Sequence, residues 1–314
     1  DYNSPQGDAS EFWIRFEGLE NNNNESGYET ITIVYTAVVT NDPQSDRGDS
    51  LANDGELTWS GGTSDAGSAS VTIVEPRLRL THSVSPGTGD AGDTVTFTIT
   101  VDHHSLSDAH AYDPIFTGTY DNKITINTGS LNCTGGTLTP DVTGFTGQQL
   151  DFSFSTPVTV GPSDTIQCTF TGTLNNDVLP EEVLDNDGEV QWTSMLGDET
   201  SAQTVNNSLS SERTGDPSDN GGAANDYVTT DPADVTVDSP APTKREVDSS
   251  ETNSVTGRAL IGEIIRFSLY TRIPEGDSPG AKLVDLLPAG MQYLDDGTAM
   301  FALVSDLVDV TSST

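Results

Sequence analysis

The stretch ERTGDPSDNGGAANDYVTTDPAD at 212–234 gathers Asp216, Asp219, Asn220, Asn225 and Asp226 among glycines that permit sharp backbone turns. Carboxylates and carboxamides at that density suit Ca²⁺, a hard cation that takes oxygen ligands. The spacing is not that of an EF-hand and no Glu closes the loop, so an ordinary polar turn is the competing reading. His103, His104 and His110 lie beside Asp102, Asp108 and Asp113 in VDHHSLSDAHAYD. Such residues can hold Zn²⁺, but neighbours in an extended chain point to opposite faces. That separates His103 from His104 and argues against a transition-metal site. Cys133 and Cys168, the two cysteines of the chain, are expected to form a structural disulfide in an exported protein. Closing a loop of about 35 residues is worth around 4 kcal/mol in the chain-entropy description. No nucleophile elbow, phosphate loop or zinc-protease motif occurs, so no catalytic residues are expected and the chain is read as a non-enzyme. Asn206 heads an NNS sequon, which carries a glycan only where the source glycosylates such sites.

The elements that would position these groups are strands. The chain has 314 residues, enough for two or three ordinary domains, and only 33% are apolar. Thr, Val, Ser, Gly and Asp dominate, as in short strands with polar outer faces. Forty-nine acidic residues against 12 basic ones leave a net charge of -37, spread along the whole sequence. Nucleic acid and anionic membranes require Lys and Arg to displace counterions, so neither is expected as a partner. No apolar stretch reaches bilayer-spanning length, and no basic-then-apolar leader precedes Asp1; the chain is read as a mature or excised piece, extracellular or on the cell surface.

Internal repetition decides the architecture. ETITIVYTAVVTND at 29–42 aligns with DTIQCTFTGTLNND at 164–177, and LANDGELTWS at 51–60 aligns with LDNDGEVQWT at 184–193. Each of the latter pair ends in a Trp, Trp59 or Trp192, expected to anchor a core between two sheets. AGDTVTFTIT at 91–100 aligns with IGEIIRFSLY at 261–270, each following a proline-containing joint, at Pro76 and at Pro240/Pro242. Apolar residues alternate with polar ones in all of these segments, as in Val95, Phe97, Ile99 and Val101, which is the period of a half-buried strand. The expected fold is all-β: tandem immunoglobulin-like β-sandwich domains, one complete domain at 76–238 flanked by two partial ones. Residues 1–75 carry late strands only and residues 239–314 early strands only. Either the chain is a window on a longer tandem array, or the early half of one copy completes itself with the late half of the next by strand addition. A half sandwich leaves edges and an apolar face uncovered, so neither end is expected to be stable alone.

The runs SLSDAHAYDPIF at 105–116, VDLLPAGMQYLDDGTA at 284–299 and ERTGDPSDNGGAANDY at 212–227, with the NDGELTW and NDGEVQW strands, resemble a widespread bacterial tandem repeat. It is the domain of unknown function eleven, close kin of the fimbrial isopeptide-formation domain. The resemblance implies a large surface or secreted protein without catalytic turnover. It also implies that some relatives join a Lys on the first strand to an Asn at the head of a late strand, with a carboxylic acid before a D-x-LP run polarising the carboxamide. Here those positions correspond to Lys244, Asn53 (from the next repeat or chain) and Asp285; the bland alternative is an exposed lysine and a turn aspartate. In the central domain Leu78 is expected where Lys244 would stand and Gly118 near the Asp285 position, leaving Asn186 alone. The Cys133–Cys168 pair is expected to substitute there, with Cys168 in the inward slot that Ile33 holds in the other copy.

The function expected is mechanical: a stalk or filament-building segment stiffened by short joints, the disulfide and calcium. The alternative is an adhesin module whose loops grip carbohydrate or a host surface, which an exposed aromatic platform would favour. Tyr2, Phe12, Trp13 and Phe16 form the dense aromatic group near the start and are expected to line the core of the split domain.

Overall fold

The computed structural model describes residues 6–7, 11–22 and 26–302; Tyr2 lies outside them. Contacts divide the chain into two units, one running to Pro240 together with Ile273–Asp277, the other comprising Ala241–Arg272 and the residues from Ser278 on.

The first unit opens with two short paired strands, β1 (Gln6–Gly7) and β2 (Phe12–Trp13), and a hairpin of β3 (Ser50–Trp59) with β4 (Gly62–Thr72). The central sandwich follows. Its strands are β5 (Leu78–Ser85), β6 (Thr88–Gly89), β7 (Thr94–His103), β8 (Ala111–Thr119), β9 (Ile124–Thr134), β10 (Val142–Thr146), β11 (Gln149–Ser153), β12 (Thr159–Val160), β13 (Thr165–Leu174), β14 (Val183–Leu184), β15 (Asp187–Thr193), β16 (Val228–Pro232) and β17 (Val235–Val237). One sheet has the order β5-β7-β13-β9, the other β10-β11-β8-β15-β16 with β12 also on β8, and a small third sheet joins β14, β17 and β6. Alternation sets which faces meet: Val95, Phe97, Ile99 and Val101 on β7 are fully buried, as are Ile166, Cys168 and Phe170 on β13. Phe97 stacks on Phe170 at 5.0 Å between ring centroids, and Phe116 stacks on Phe152 at 4.9 Å. Each such side chain removed from water contributes roughly 1.5–3 kcal/mol. Trp192 closes one end of this core, 4% exposed, with its Nε1 donating to the Pro76 carbonyl at 3.3 Å.

All buried apolar residues among those described lie between Leu78 and Val237. The flanking segments therefore differ from the pattern their sequences predict. Residues 29–42, the repeat of β13, form no ladder, and Ile31, Ile33 and Tyr35 are about half exposed. β13 owes its regularity to neighbours on both sides, β7 and β9; residues 29–42 pair with neither equivalent. Trp59 is 55% exposed; among the described residues β3 pairs with β4 alone. Phe12 and Trp13 are likewise exposed rather than lining a core.

Among its described residues the second unit contains one antiparallel pair, β18 (Ala241–Ser249) with β19 (Ile265–Arg272). It repeats the β5–β7 pair of the central sandwich. Among the described residues no helix is long and apolar enough to cross a membrane.

Candidate functional site

Lys244 stands on β18 opposite Leu269, and its Nζ lies 2.6 Å from Asp285 Oδ1 and 4.5 Å above the Phe267 ring. The structure thus brings together two of the three residues of the expected cross-link. The pair is about one-third exposed on both sides, and at that exposure an ion pair contributes only about 0–1 kcal/mol. Nucleophilic attack requires a neutral amine, which burial produces by disfavouring the charged form. Asn53 belongs to the other unit, on β3, where its Nδ2 donates to Tyr35 Oη.

Strand register identifies the equivalent slot in the central sandwich, and the occupant is His82 rather than Leu78. His82 is paired with Ile99 as Lys244 is with Leu269, and Ile99 and Leu269 are equivalent in the AGDTVTFTIT/IGEIIRFSLY repeat. Hydrogen-bonded pairing, not the distance from the proline joint, determines which side chain points inward. Leu80-Thr81-His82 against Pro242-Thr243-Lys244 is the signal that the sequence carries for it.

His82 is 3% exposed. Its Nδ1 lies 3.2 Å from the Asp231 carbonyl oxygen and its Nε2 3.2 Å from Tyr120 Oη. A carbonyl can only accept, so Nδ1 carries the proton and Nε2 accepts from the tyrosine hydroxyl. Burial pushes the imidazole pKa below its ordinary value, against the opposing pull of Asp231, Asp187 and Asp234. Burial likewise pushes the Tyr120 phenol up. Gly118 confirms how full the slot is: a Cβ there would sit 2.8 Å from Tyr120 Oη and 2.9 Å from Phe116 Cε1. A carboxylate does not fit at the Gly118 position; the one beside His82 is that of Asp231, whose Oδ2 accepts from the His82 backbone amide at 2.8 Å. Asn186, fully buried, donates to the Leu184 and Ala233 carbonyls at 2.8 and 3.1 Å and accepts from the Asp121 amide at 3.0 Å. Its carboxamide ties three chain segments together.

Cys133 and Cys168 form the expected disulfide, between directly opposed residues of β9 and β13. It joins neighbouring strands of one sheet, whereas an amide from the His82 slot on β5 to the head of β15 would join opposite sheets. The disulfide therefore does not replace that amide.

The 212–234 loop contains a buried guanidinium whose partners come from upstream segments. Arg213, 7% exposed, donates through Nη1 to Glu75 Oε1 at 2.6 Å, through Nε to Asn41 Oδ1 at 3.0 Å and through Nη2 to the Asp42 carbonyl at 2.9 Å. Asn41 Nδ2 reaches Asn225 Oδ1 at 2.7 Å and the carbonyls of Glu212 and Asn220. Asn225 Nδ2 donates to the Asp216 carbonyl, Asp219 Oδ2 accepts from Thr214, and Asp216 Oδ1 caps the Ser218 amide. Of the five residues expected to hold calcium, Asp216, Asp219, Asn220 and Asn225 are linked by hydrogen bonds, chiefly through the Asp216 and Asn220 backbone carbonyls, and Asp226 is exposed. Among the described residues no group of three or more His, Cys, Asp and Glu converges on a common point. His103 bonds Ser107 Oγ and the Val160 carbonyl, and His104 caps the Leu106 amide. Asn41, Glu75, Arg213 and Tyr227 form a buried network with no motif to announce it, since its members are up to 186 residues apart in the sequence by simple difference of their numbers.

No family model matches the chain. No curated protein does either. Solved structures do, at low identity. They include the T6 backbone pilin of serotype M6 Streptococcus pyogenes, at 12% identity with a TM-score of 0.32, covering 67% of this chain and 48% of the pilin. The major pilin subunit BcpA of Bacillus cereus is similar at 10% identity and a TM-score of 0.32, over 71% of this chain and 64% of BcpA. A collagen-binding domain from a Staphylococcus aureus adhesin is similar at 9% identity and a TM-score of 0.25, over 54% of this chain and 99% of that domain. The chain spans about half to two thirds of the length of the two pilins.

Proposed function

We propose that this chain is a non-catalytic, load-bearing segment of a large exported bacterial surface or fibre protein of the tandem-repeat type that its motifs resemble. Its partial sandwiches complete one another between neighbouring copies or repeats. One observation carries this reading: equivalent repeat positions are buried in the centre and exposed at the ends, Trp192 at 4% against Trp59 at 55%. Exposed apolar faces of this kind are stable only when covered. The exposed aromatics Phe12, Trp13, Tyr35 and Trp59 would also serve an adhesin that stacks on sugar rings. The repeat alignment favours the first reading, because Tyr35 and Trp59 correspond to the core residues Phe170 and Trp192.

Completion of the sandwich also supplies what the Lys244–Asp285 pair lacks. Covered by the late half, the lysine becomes buried and neutral beside Asn53. Its amine then displaces ammonia from the carboxamide, a new C–N bond replacing the old one, with Asp285 in its protonated form polarising the carbonyl. Two measurements test the proposal. Electron microscopy of the concentrated full chain should show filaments with a regular axial repeat; dispersed single particles at every concentration would refute the fibre. Intact mass under denaturing conditions should show covalent multimers, each lighter than the sum of its chains by one ammonia for each cross-link, and Lys244→Arg should leave only the single-chain mass; a single-chain mass in the wild type removes the amide while leaving the fibre.

A further inference from the structure

We infer that residues 30–39 of one copy, the stretch before Asn41 and Asp42 enter the Arg213 network, add to the other edge of β19 in a second copy, in the register that β13 takes on β7. The inference rests on the half-domain reading above and specifies its partner strand by strand. In the central sandwich β7 lies between β5 and β13, with Cys168 opposite Ile99, Phe170 opposite Phe97 and Ile166 opposite Val101. β19 is the repeat of β7 and carries β18 on one edge; among the described residues its other edge has no ladder partner. The repeat of β13, residues 30–39, forms no ladder. The sequence alignment then dictates the pairing. Ile33 comes opposite Leu269, Tyr35 opposite Phe267 and Ile31 opposite Thr271.

Both partners show why this register is selected. Ile31, Ile33 and Tyr35 are 51%, 47% and 48% exposed, whereas their equivalents Ile166, Cys168 and Phe170 are at 0%. Phe267 and Leu269 are half-buried where Phe97 and Ile99 are wholly so. A slip of one residue would turn every one of these side chains to the wrong face. A row of unpaired amides and carbonyls on a strand edge is a template for an extended segment of another chain. The second copy is the occupant that presents the matching alternation, with Ile33 and Tyr35 meeting Leu269 and Phe267; Thr271 is the one polar residue in the inward row of β19.

The outward pair Val34 and Ser268 provides the test, because it corresponds to the opposed residues Thr169 and Thr98. Directly opposed antiparallel residues lie about 4.5–5.5 Å apart at Cα, within reach of a disulfide. Full-length Val34→Cys and Ser268→Cys chains are mixed under mild oxidation, with Thr36→Cys plus Ser268→Cys as the slipped control. The linked dimer should form about tenfold more from the first mixture than from the second, the ratio that about 1.4 kcal/mol of mispairing gives. Equal linkage, or none in a mixture that still associates by sedimentation, overturns this register and leaves half-domain complementation standing. No association at all removes both. Near-complete linkage within monomers of the doubly substituted chain, with none between the mixed chains, overturns the second copy as partner. Both positions lie outside the buried core, so near-ultraviolet dichroism from Trp192 and Tyr227 confirms that each variant is folded.

Discussion

His82 shows how one position serves two purposes in the two copies of this slot. In the second unit the residue is a lysine over Phe267; in the central sandwich it is a neutral imidazole beside Phe97, 6.0 Å between ring centroids. The swap removes a nucleophile and adds a group whose burial depends on its staying uncharged. Its folded-state pKa lies below the unfolded value, so between the two the unfolded chain binds more protons. The stability that neutral His82 confers is therefore complete above about pH 6.5 and lost as the pH falls through that value towards the depressed one. A buried imidazole of this kind changes stability by up to about 1.4 kcal/mol per pH unit within the window. Chemical denaturation at several pH values should show this slope in the wild-type chain and a flatter one in His82→Gln. Identical slopes would mean that the many carboxylates, not His82, govern the acid limb.

At the scale of elements, alternation made β7, β13 and β15 readable from the sequence, because each has one face on a core and a nearby partner; on β5 the sequence reading placed the wrong residue, Leu78, in the His82 slot. The same alternation misled at 29–42, where the pattern of a strand is present but no neighbour is; a strand is a property of a pair. The disulfide was legible because two cysteines leave one pairing. Tyr120 filling the space over Gly118 was not, since it depends on side-chain volumes that only packing reveals. The 212–234 loop was legible in composition alone. Its acidic and amide residues suggested a cation, and the structure supplies one in Arg213, held by Asn41 and Glu75 from far upstream. Removing one partner of a buried charge pair leaves the other uncompensated, which costs roughly 3 kcal/mol. Arg213→Ala should therefore lower the melting temperature markedly with or without EDTA. A fall with EDTA in the wild-type chain would place calcium on the remaining oxygens of the loop; an unchanged value would assign its order to the guanidinium network.

For the whole molecule, assembly must overcome charge. Each copy carries -37, and joining copies end to end brings acidic surfaces together. Apolar burial at the exposed repeat faces favours association and changes little with moderate salt, whereas repulsion between the copies falls as the Debye length shrinks from about 30 Å at 0.01 M to about 10 Å at 0.1 M. The balance should thus shift towards assembly as salt rises. Sedimentation of the full chain across that range should show the average mass increasing with ionic strength. If buried ion pairs between copies held the joint instead, added salt would dissociate it, and a falling mass would replace apolar completion of the sandwich with an electrostatic contact. The 12 basic residues make that alternative scarce in partners. Lys244, Arg266 and Arg79 already face carboxylates within their own units. The direction of the salt response therefore distinguishes a joint made by completing a core from one made by matching charges.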